Sequence, residues 1–477
     1  MRELARRLGR STRTLRPPDH SDDLEGPASA QQRQFWLLNR FARGVPRYNE
    51  SIRATVRGSL DEERLARAFA GLVEAHEPLR TTVALRGHAL VQRVEPVGAV
   101  TVDRADLRTE ADPRDAAAAR IRACLARPFD VEAETPLRIQ LLRVADREWH
   151  LVLVVHHIAI DGWSVPTLID DLTRCFDGAS PSELAPPLRY LDYAGWQQQR
   201  AVEEDLEHWV NALRGAPARL WPADVRAARS GAGGAAEQRR AVVGRRLLSS
   251  VGRLAAKTDA TPTMVLLAAF ARALGRCAGS DDVVVGLPVA NRELSEVTGA
   301  VGAFVNTLPI RADLSGEPSF VETVRRVREV ALEAYARQHV PFADVVSALG
   351  LERGADARPL VQVLLTLAPD YAPPTRLGGC EVEWDLGVPP DAVPIVDLNL
   401  TLAPVEAGLQ AVAQLDPLTT DAALVETLLA EWLEPIDRAA EQEGDSVGAA
   451  SGRDDRSRAR LFSSTSVSGK AEPARWR

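Results

Sequence analysis

Lysine is almost absent: of 58 basic residues only Lys257 and Lys470 are lysines. Such an arginine bias points to a GC-rich coding sequence, not to a nucleic-acid patch. Acidic residues outnumber basic ones by 66 to 58, giving a net charge of -8 and a pI near 5.7. That balance is wrong for a dedicated nucleic-acid binder. Cysteine is scarce as well. Cys124, Cys175, Cys277 and Cys380 lie far apart with no C-x-x-C pair, which argues against a disulfide framework or a zinc cage and fits a reducing cytoplasm. No apolar run approaches the roughly 18 residues that cross a bilayer, and the first thirty residues hold no apolar signal-peptide core. Neither nucleic acid nor membrane is an expected partner.

What is present is a soluble, globular composition of 45% hydrophobic and 26% charged residues over 477 positions. The length calls for two domains or one two-lobed unit. Residues 1–26 begin with six arginines and pass through Pro17-Pro18 into an acidic stretch, so they read as a flexible basic segment or short docking helix. Residues 438–477 are rich in Ser, Gly, Ala and charge and read as a disordered tail. Between them helix-like and strand-like patterns alternate, the mark of α/β layering. Arg229 to Gln238 (RSGAGGAAEQ) is the clearest interior loop signal, dividing an N-terminal lobe, 27–228, from a C-terminal lobe, 229–437.

Local patterns sharpen this. Ser59 and Glu62 are spaced as a capping box ahead of Leu65, Phe69, Leu72 and Val73, which share one helical face. Trp149 to Val155 reads as a buried strand, and Ser164 to Phe176 as a capped helix. Thr261-Pro262 starts a helix through Leu274, Val283 to Leu287 and Pro359 to Leu367 read as strands, and VDLNLTL (Val396 to Leu402) alternates with period two.

The strand at 149–155 runs into His156-His157-Ile158-Ala159-Ile160-Asp161-Gly162-Trp163-Ser164. Adjacent side chains of a strand face opposite ways, so one histidine is expected inward and one toward an opening. A histidine near neutrality can take or hold a proton during attack by an amine or alcohol, and Gly162 permits close backbone approach to a ligand. Simple packing of a buried histidine at a strand end is the competing reading. The remaining histidines (His20, His76, His88, His150, His208, His339) form no ligand array, so no metal is expected.

This turn resembles the HHxxxDG signature of condensation domains of nonribosomal peptide synthetases, and further motifs follow in the family's order. SAQQRQFWLL (Ser29 to Leu38), HEPLRT (His76 to Thr81), YLDYAGW (Tyr190 to Trp196), VGAFVNT with Arg311 (Val301 to Thr307), QHVPF (Gln338 to Phe342) and RPLVQV (Arg358 to Val363) are each similar to a family motif. Ala75, Leu308, Ala343 and the residues before Pro359 depart from the family's usual Arg, Gln, Glu and Ser.

The resemblance implies an α/β fold of two chloramphenicol-acetyltransferase-like lobes in a V-shaped pseudo-dimer, each a mixed sheet with helices, around a tunnel. It implies a catalytic His157 acting on a thioester donor and a structural Asp161 paired with an arginine, for which Arg80 is the candidate by position. A carboxylate so paired stays ionised and is a poor proton acceptor. His156, Gly162 and Asn306 are supporting residues; Asn306 either bonds near the tunnel, braces the lobes or caps a turn. Trp36 and Trp196 read as core aromatics.

No cofactor of its own is implied, because the acyl group arrives on the phosphopantetheine of a partner carrier protein. The chain has no room for an adenylation domain, and Leu377-Gly378-Gly379 is followed by Cys380 and not by an arm-accepting Ser. The expectation is a free-standing condensation enzyme that joins a carrier-bound acyl group to a carrier-bound or soluble amine or alcohol. A catalytically silent recruitment module and an epimerisation-type member are the alternatives. The complete turn disfavours the first and the Trp163-Ser164 order the second.

Overall fold

The computed structural model describes residues 22–41, 44–217, 220, 236–351, 360–387 and 393–444. The basic stretch 1–21, most of the Gly/Ala-rich segment at 229–235, Arg358-Pro359 and the tail at 445–477 lie outside the described residues. In chain order the first half holds β1 (Glu25–Pro27), α1 (Ala30–Phe41), β2 (Asn49–Arg57), α2 (Glu62–Ala75), β3 (Thr81–Arg86), β4 (Ala89–Val94), β5 (Val102–Asp106) and α3 (Pro113–Ala126). It continues with β6 (Leu137–Ala145), β7 (Glu148–His156), α4 (Ser164–Asp177), α5 (Tyr190–Gln198) and α6 (Glu203–Leu213). The second half holds β8 (Glu237–Gly244), α7 (Arg245–Lys257), α8 (Pro262–Ala278), β9 (Asp282–Val289), β10 (Asn306–Asp313), α9 (Phe320–Ala336) and α10 (Phe342–Ala348). It ends with β11 (Val363–Leu367), β12 (Arg376–Leu377), β13 (Cys380–Asp385), β14 (Leu398–Val405), β15 (Gly408–Leu415) and α11 (Ala422–Gly444).

Two six-stranded mixed sheets result, ordered β12-β13-β2-β7-β6-β5 and β10-β9-β11-β14-β15-β8, with a small sheet β1-β4-β3 beside the first. In the first, β7 is central, antiparallel to β2 and β6, and buried from Leu151 to His156. Ile52, Ala54 and Val56 of β2 pack with Leu65, Phe69 and Leu72 of α2 and Leu168, Ile169 and Leu172 of α4. In the second, α8 is buried almost all round from Met264 to Gly275, as a helix enclosed by a sheet and by other helices must be. Thr261 caps it through a bond from Met264 N, and Gly279 ends it at φ +63. The period-two pattern expected of VDLNLTL is met in β14, whose first six residues alternate buried and half-buried.

Three expectations need correction. Asp61, not Ser59, caps α2: its carboxylate accepts from Arg64 N at 2.9 Å, since the helix starts two residues later than the Ser59 spacing implies. The lobes are not sequential. β12 and β13 leave the second half and close the first sheet, Glu381–Asp385 pairing with Arg57–Arg53, because β2 offers an open edge and Cys380 and Val382 can enter the first core. Conversely, Trp209 and Leu213 of α6 join the second core. Finally, ordered structure extends beyond both expected ends: Glu25 and Gly26 pair with Arg93 and Gln92, and α11 runs to Gly444, past the expected tail start at 438.

Between the lobes a separate cluster joins Leu188, Tyr190 and Tyr193 to Leu294, Val297, Ala300 and Phe304. Gly302 sits where an added Cβ would fall 2.4 Å from the Tyr190 ring, so only glycine allows this approach. Among the described residues no helix is long and apolar enough to cross a membrane.

Candidate active site

The end of β7 separates the two histidines. His157 N donates to Tyr48 O at 2.8 Å, extending the β2–β7 pairing by one bond. His156 is 1% exposed, its ring edge-on to Tyr48 and Phe129. Its Nδ1 accepts from Ile158 N at 3.0 Å and its carbonyl accepts from Ala159 N at 3.0 Å. An acceptor Nδ1 places the proton of the neutral ring on Nε2, and Nε2 is buried without a partner. Burial, with the nearby charges of His157 and Arg138, pushes its pKa down to about 3. His156 is a neutral clamp on the turn.

His157 faces the other way. Its ring stacks on Phe35 of α1 with centroids 4.5 Å apart and planes at 22°, and its side chain keeps 18% exposure. Nδ1 is buried with no hydrogen-bond partner. Nε2 stands 3.9 Å from Oε1 of Glu50, whose side chain is half exposed. The imidazole is thus held by a flat apolar contact and leaves one nitrogen beside a carboxylate, an arrangement able to accept a proton from a nucleophile.

Asp161, four residues on, is wholly enclosed. Oδ1 accepts from Ser164 N at 2.9 Å and Arg292 Nη2 at 2.8 Å; Oδ2 accepts from Phe304 N at 3.0 Å and Val305 N at 3.1 Å. The Ser164 hydroxyl, 2.9 Å from Oδ1 and 3.0 Å from Gly302 O, gives its one hydrogen to either. Arg292 in turn donates to Val297 O and Ala300 O and lies 4.2 Å over the Phe304 ring. Asp161 therefore ties the first lobe to backbone and guanidinium of the second.

Arg80, the expected partner of Asp161, is not in this knot. It donates to Val73 O at 3.2 Å and Glu95 O at 2.5 Å and approaches Glu77 at 3.8 Å, bracing the end of α2 against β4. Its place in the HEPLRT motif directs it to its own lobe, whereas Arg292 lies in the loop that meets Asp161. Asn306 is fully used inside the second lobe: Nδ2 donates to Gln338 O at 2.8 Å and Val340 O at 2.7 Å, and Oδ1 accepts from Phe342 N at 3.0 Å. Of the three roles open to it, it braces a turn. Gly162 is exposed with ordinary negative φ, and an added Cβ would meet no atom within 4 Å; the backbone itself does not require glycine there. Trp36 and Trp196 are only half-buried, Trp36 donating to Glu132 Oε1 at 2.9 Å.

Sequence reasoning missed Arg292 and Glu50. Nothing local marks Arg292, and only the strand register brings in Glu50: it lies opposite Val155, which is two residues before His157, so Glu50 and His157 share a sheet face. A cavity of about 650 Å³ lies at the lobe junction between β1, α5 and the loops at Asn291 and His339, and His157 does not line it. Among the described residues no three His, Cys, Asp or Glu side chains group as metal ligands.

A linear gramicidin synthase of Brevibacillus parabrevis is 35% identical over 423 residues, covering 86% of this chain, while the chain spans only 5% of that relative's length. Among solved structures, the X-domain from teicoplanin biosynthesis matches with TM-score 0.78 at 23% identity over 90% of this chain and 97% of its own. The first condensation domain of the calcium-dependent antibiotic synthetase matches with TM-score 0.69 at 21% identity, covering 87% and 96%. The two lobes are the expected chloramphenicol-acetyltransferase-like pair. With the family model described as Condensation domain matching residues 25–373, the chain belongs to the condensation-domain family of nonribosomal peptide synthesis.

Proposed function

We propose that the protein is a condensation enzyme of the cytoplasm, which transfers an acyl or aminoacyl group from a carrier-protein thioester to an amine or alcohol. The observation that carries this reading is the division of labour at the end of β7, where His156 is spent on the turn and His157 keeps a ring nitrogen for a ligand. In the reaction the acceptor nitrogen or oxygen attacks the thioester carbonyl carbon and gives its proton to His157. The carbon–sulfur bond then breaks, and the phosphopantetheine thiolate leaves with that proton. The acyl group's own thioester supplies the activation, and Asp161 holds the lobes in register.

A second reading, a recruitment module without chemistry, is favoured by the cavity at the lobe junction, which His157 does not line. One experiment separates the two. Acyl groups loaded on phosphopantetheinylated carrier proteins are offered with amine and alcohol acceptors to the full chain and to His157→Ala. Turnover that disappears in His157→Ala supports condensation. Equal product from both, or efficient use of a free carboxylic acid with ATP and no carrier, overturns it.

A further inference from the structure

Among the described residues Glu50 is the one carboxylate set within 4 Å of the outward nitrogen of His157, and it lies outside the turn motif. It belongs to β2. Register places it opposite Val155, so it shares the sheet face of His157 as a diagonal cross-strand neighbour. Among the described residues its carboxylate makes no hydrogen bond, and its only ion-pair approach is the 3.9 Å gap to His157 Nε2. The other groups around the ring are already accounted for. Phe35 covers its face, Tyr48 receives its backbone N–H, and His156 is turned to the opposite side.

We propose that Glu50 is the residue that discriminates between acceptors of the condensation reaction, holding an amine at His157 in preference to an alcohol. The inference rests on the functional reading above and deepens it. A gap of 3.9 Å is too long for a direct hydrogen bond, yet one atom can stand about 2.8–3.0 Å from both Glu50 Oε1 and His157 Nε2. Both flanking atoms accept hydrogen bonds: a carboxylate oxygen is an acceptor only, and the Nε2 lone pair must be free for His157 to act as base. An ammonium or amine nitrogen carries enough N–H groups to donate to both. An alcohol has a single O–H and satisfies one, leaving its own lone pairs facing the other.

Charge acts in the same direction. An α-amine, with an ordinary pKa near 7.7–8.0, enters largely as ammonium at neutral pH, and the carboxylate attracts that form. The ammonium gives one proton to His157 and becomes the nucleophile. Its nitrogen then bonds to the thioester carbonyl carbon, the carbon–sulfur bond breaks, the second N–H proton passes to the departing thiolate to give the thiol, and His157 returns the first proton to solvent. Throughout, Glu50 keeps its charge and holds the nitrogen beside the base.

The test is binding at His157, read without turnover. The full chain is labelled in its histidine rings, the His157 resonance is assigned by its loss in His157→Ala, and 2-phenylethylamine and 2-phenylethanol are titrated in as probes. The expected result is that the amine moves the His157 resonance at about tenfold lower concentration than the alcohol, the margin typical of a charged over a neutral hydrogen bond. Glu50→Gln, which keeps size and removes charge, brings the two midpoints together, and Glu50→Asp retains part of the preference. A preference that survives in Glu50→Gln overturns the proposal, as does a wild-type chain in which the amine moves His157 no better than the alcohol. Failure of the condensation reading shows elsewhere, as undiminished product formation by His157→Ala.

Discussion

Two ends of one turn, four residues apart, are built on opposite plans. At Asp161 every direction is filled: two backbone amides and a guanidinium come from the other lobe, and the side chain has no exposure. At His157 the ring has a stacked face, a buried unpartnered Nδ1 and a partly open edge. Bonds that are all made hold lobes together, and a group left under-bonded can exchange partners with a substrate. Under the proposed function the same short motif supplies a rivet and a reactive site, and a conservative change at each should fail in a different way.

The largest effect tests the reactive end. His157→Ala should lower condensation by about 10²–10⁴-fold with an unchanged melting temperature, because a partly exposed ring at a strand end leaves little cavity. Activity measured with loaded carrier alongside a thermal melt checks both halves; a large drop in melting temperature would erase the contrast with Asp161.

At the rivet, Asp161→Asn or Arg292→Ala should destabilise the fold by about 3–5 kcal/mol, since each strands the other charge in a buried site. Arg80→Ala should cost less, about 1–3 kcal/mol, because it removes bonds to two carbonyls and a loose approach to Glu77, all within its own lobe. Urea melts of the three variants rank them, and an Arg80 variant as damaged as the Arg292 variant would contradict the assignment of Asp161's partner.

The neighbour of the reactive end gives a pH signature. His156 is held neutral by burial, its pKa lowered from 6.5 to about 3. Between those values the unfolded chain binds a proton that the folded chain does not, so stability rises with pH across the window and is lost as pH falls from about 6.5 toward 3. Replacing His156 with Gln should flatten that dependence, by up to about 4 kcal/mol at the acid end, while losing some stability at neutral pH. Denaturant midpoints collected from pH 4 to 8 would show it.

The smallest structural effect is expected at Gly162. Because an added Cβ meets open space and φ is ordinary, Gly162→Ala should leave the melting temperature within about 1–2 °C while raising the Michaelis constant for loaded carrier. Equal Michaelis constants would show that the space beside the turn is not used by substrate.

Much of the scaffold was legible because it is encoded over short distances. The apolar run at 149–155, the Thr261-Pro262 start, the alternation in VDLNLTL and the divergence of adjacent histidines each follow from local periodicity, and β7, α8, β14 and the His156–His157 split realise them. Capping was less legible, since Asp61 and Ser59 are both competent caps and the choice depends on which residue the helix starts after.

The amino-acid sequence by itself determined the layering and the turn with its histidine pair, and the turn's resemblance to the family motif implied an arginine partner for Asp161. Only the tertiary structure decided who that partner is, which strands close the first sheet, and that Glu50 stands beside His157. Arg292 lies 131 residues from Asp161, and β13 pairs with a strand more than three hundred positions away. A buried carboxylate's demand for a cation follows from its burial. Which of many arginines meets the demand depends on where two separately folded lobes touch, and no local pattern carries that information.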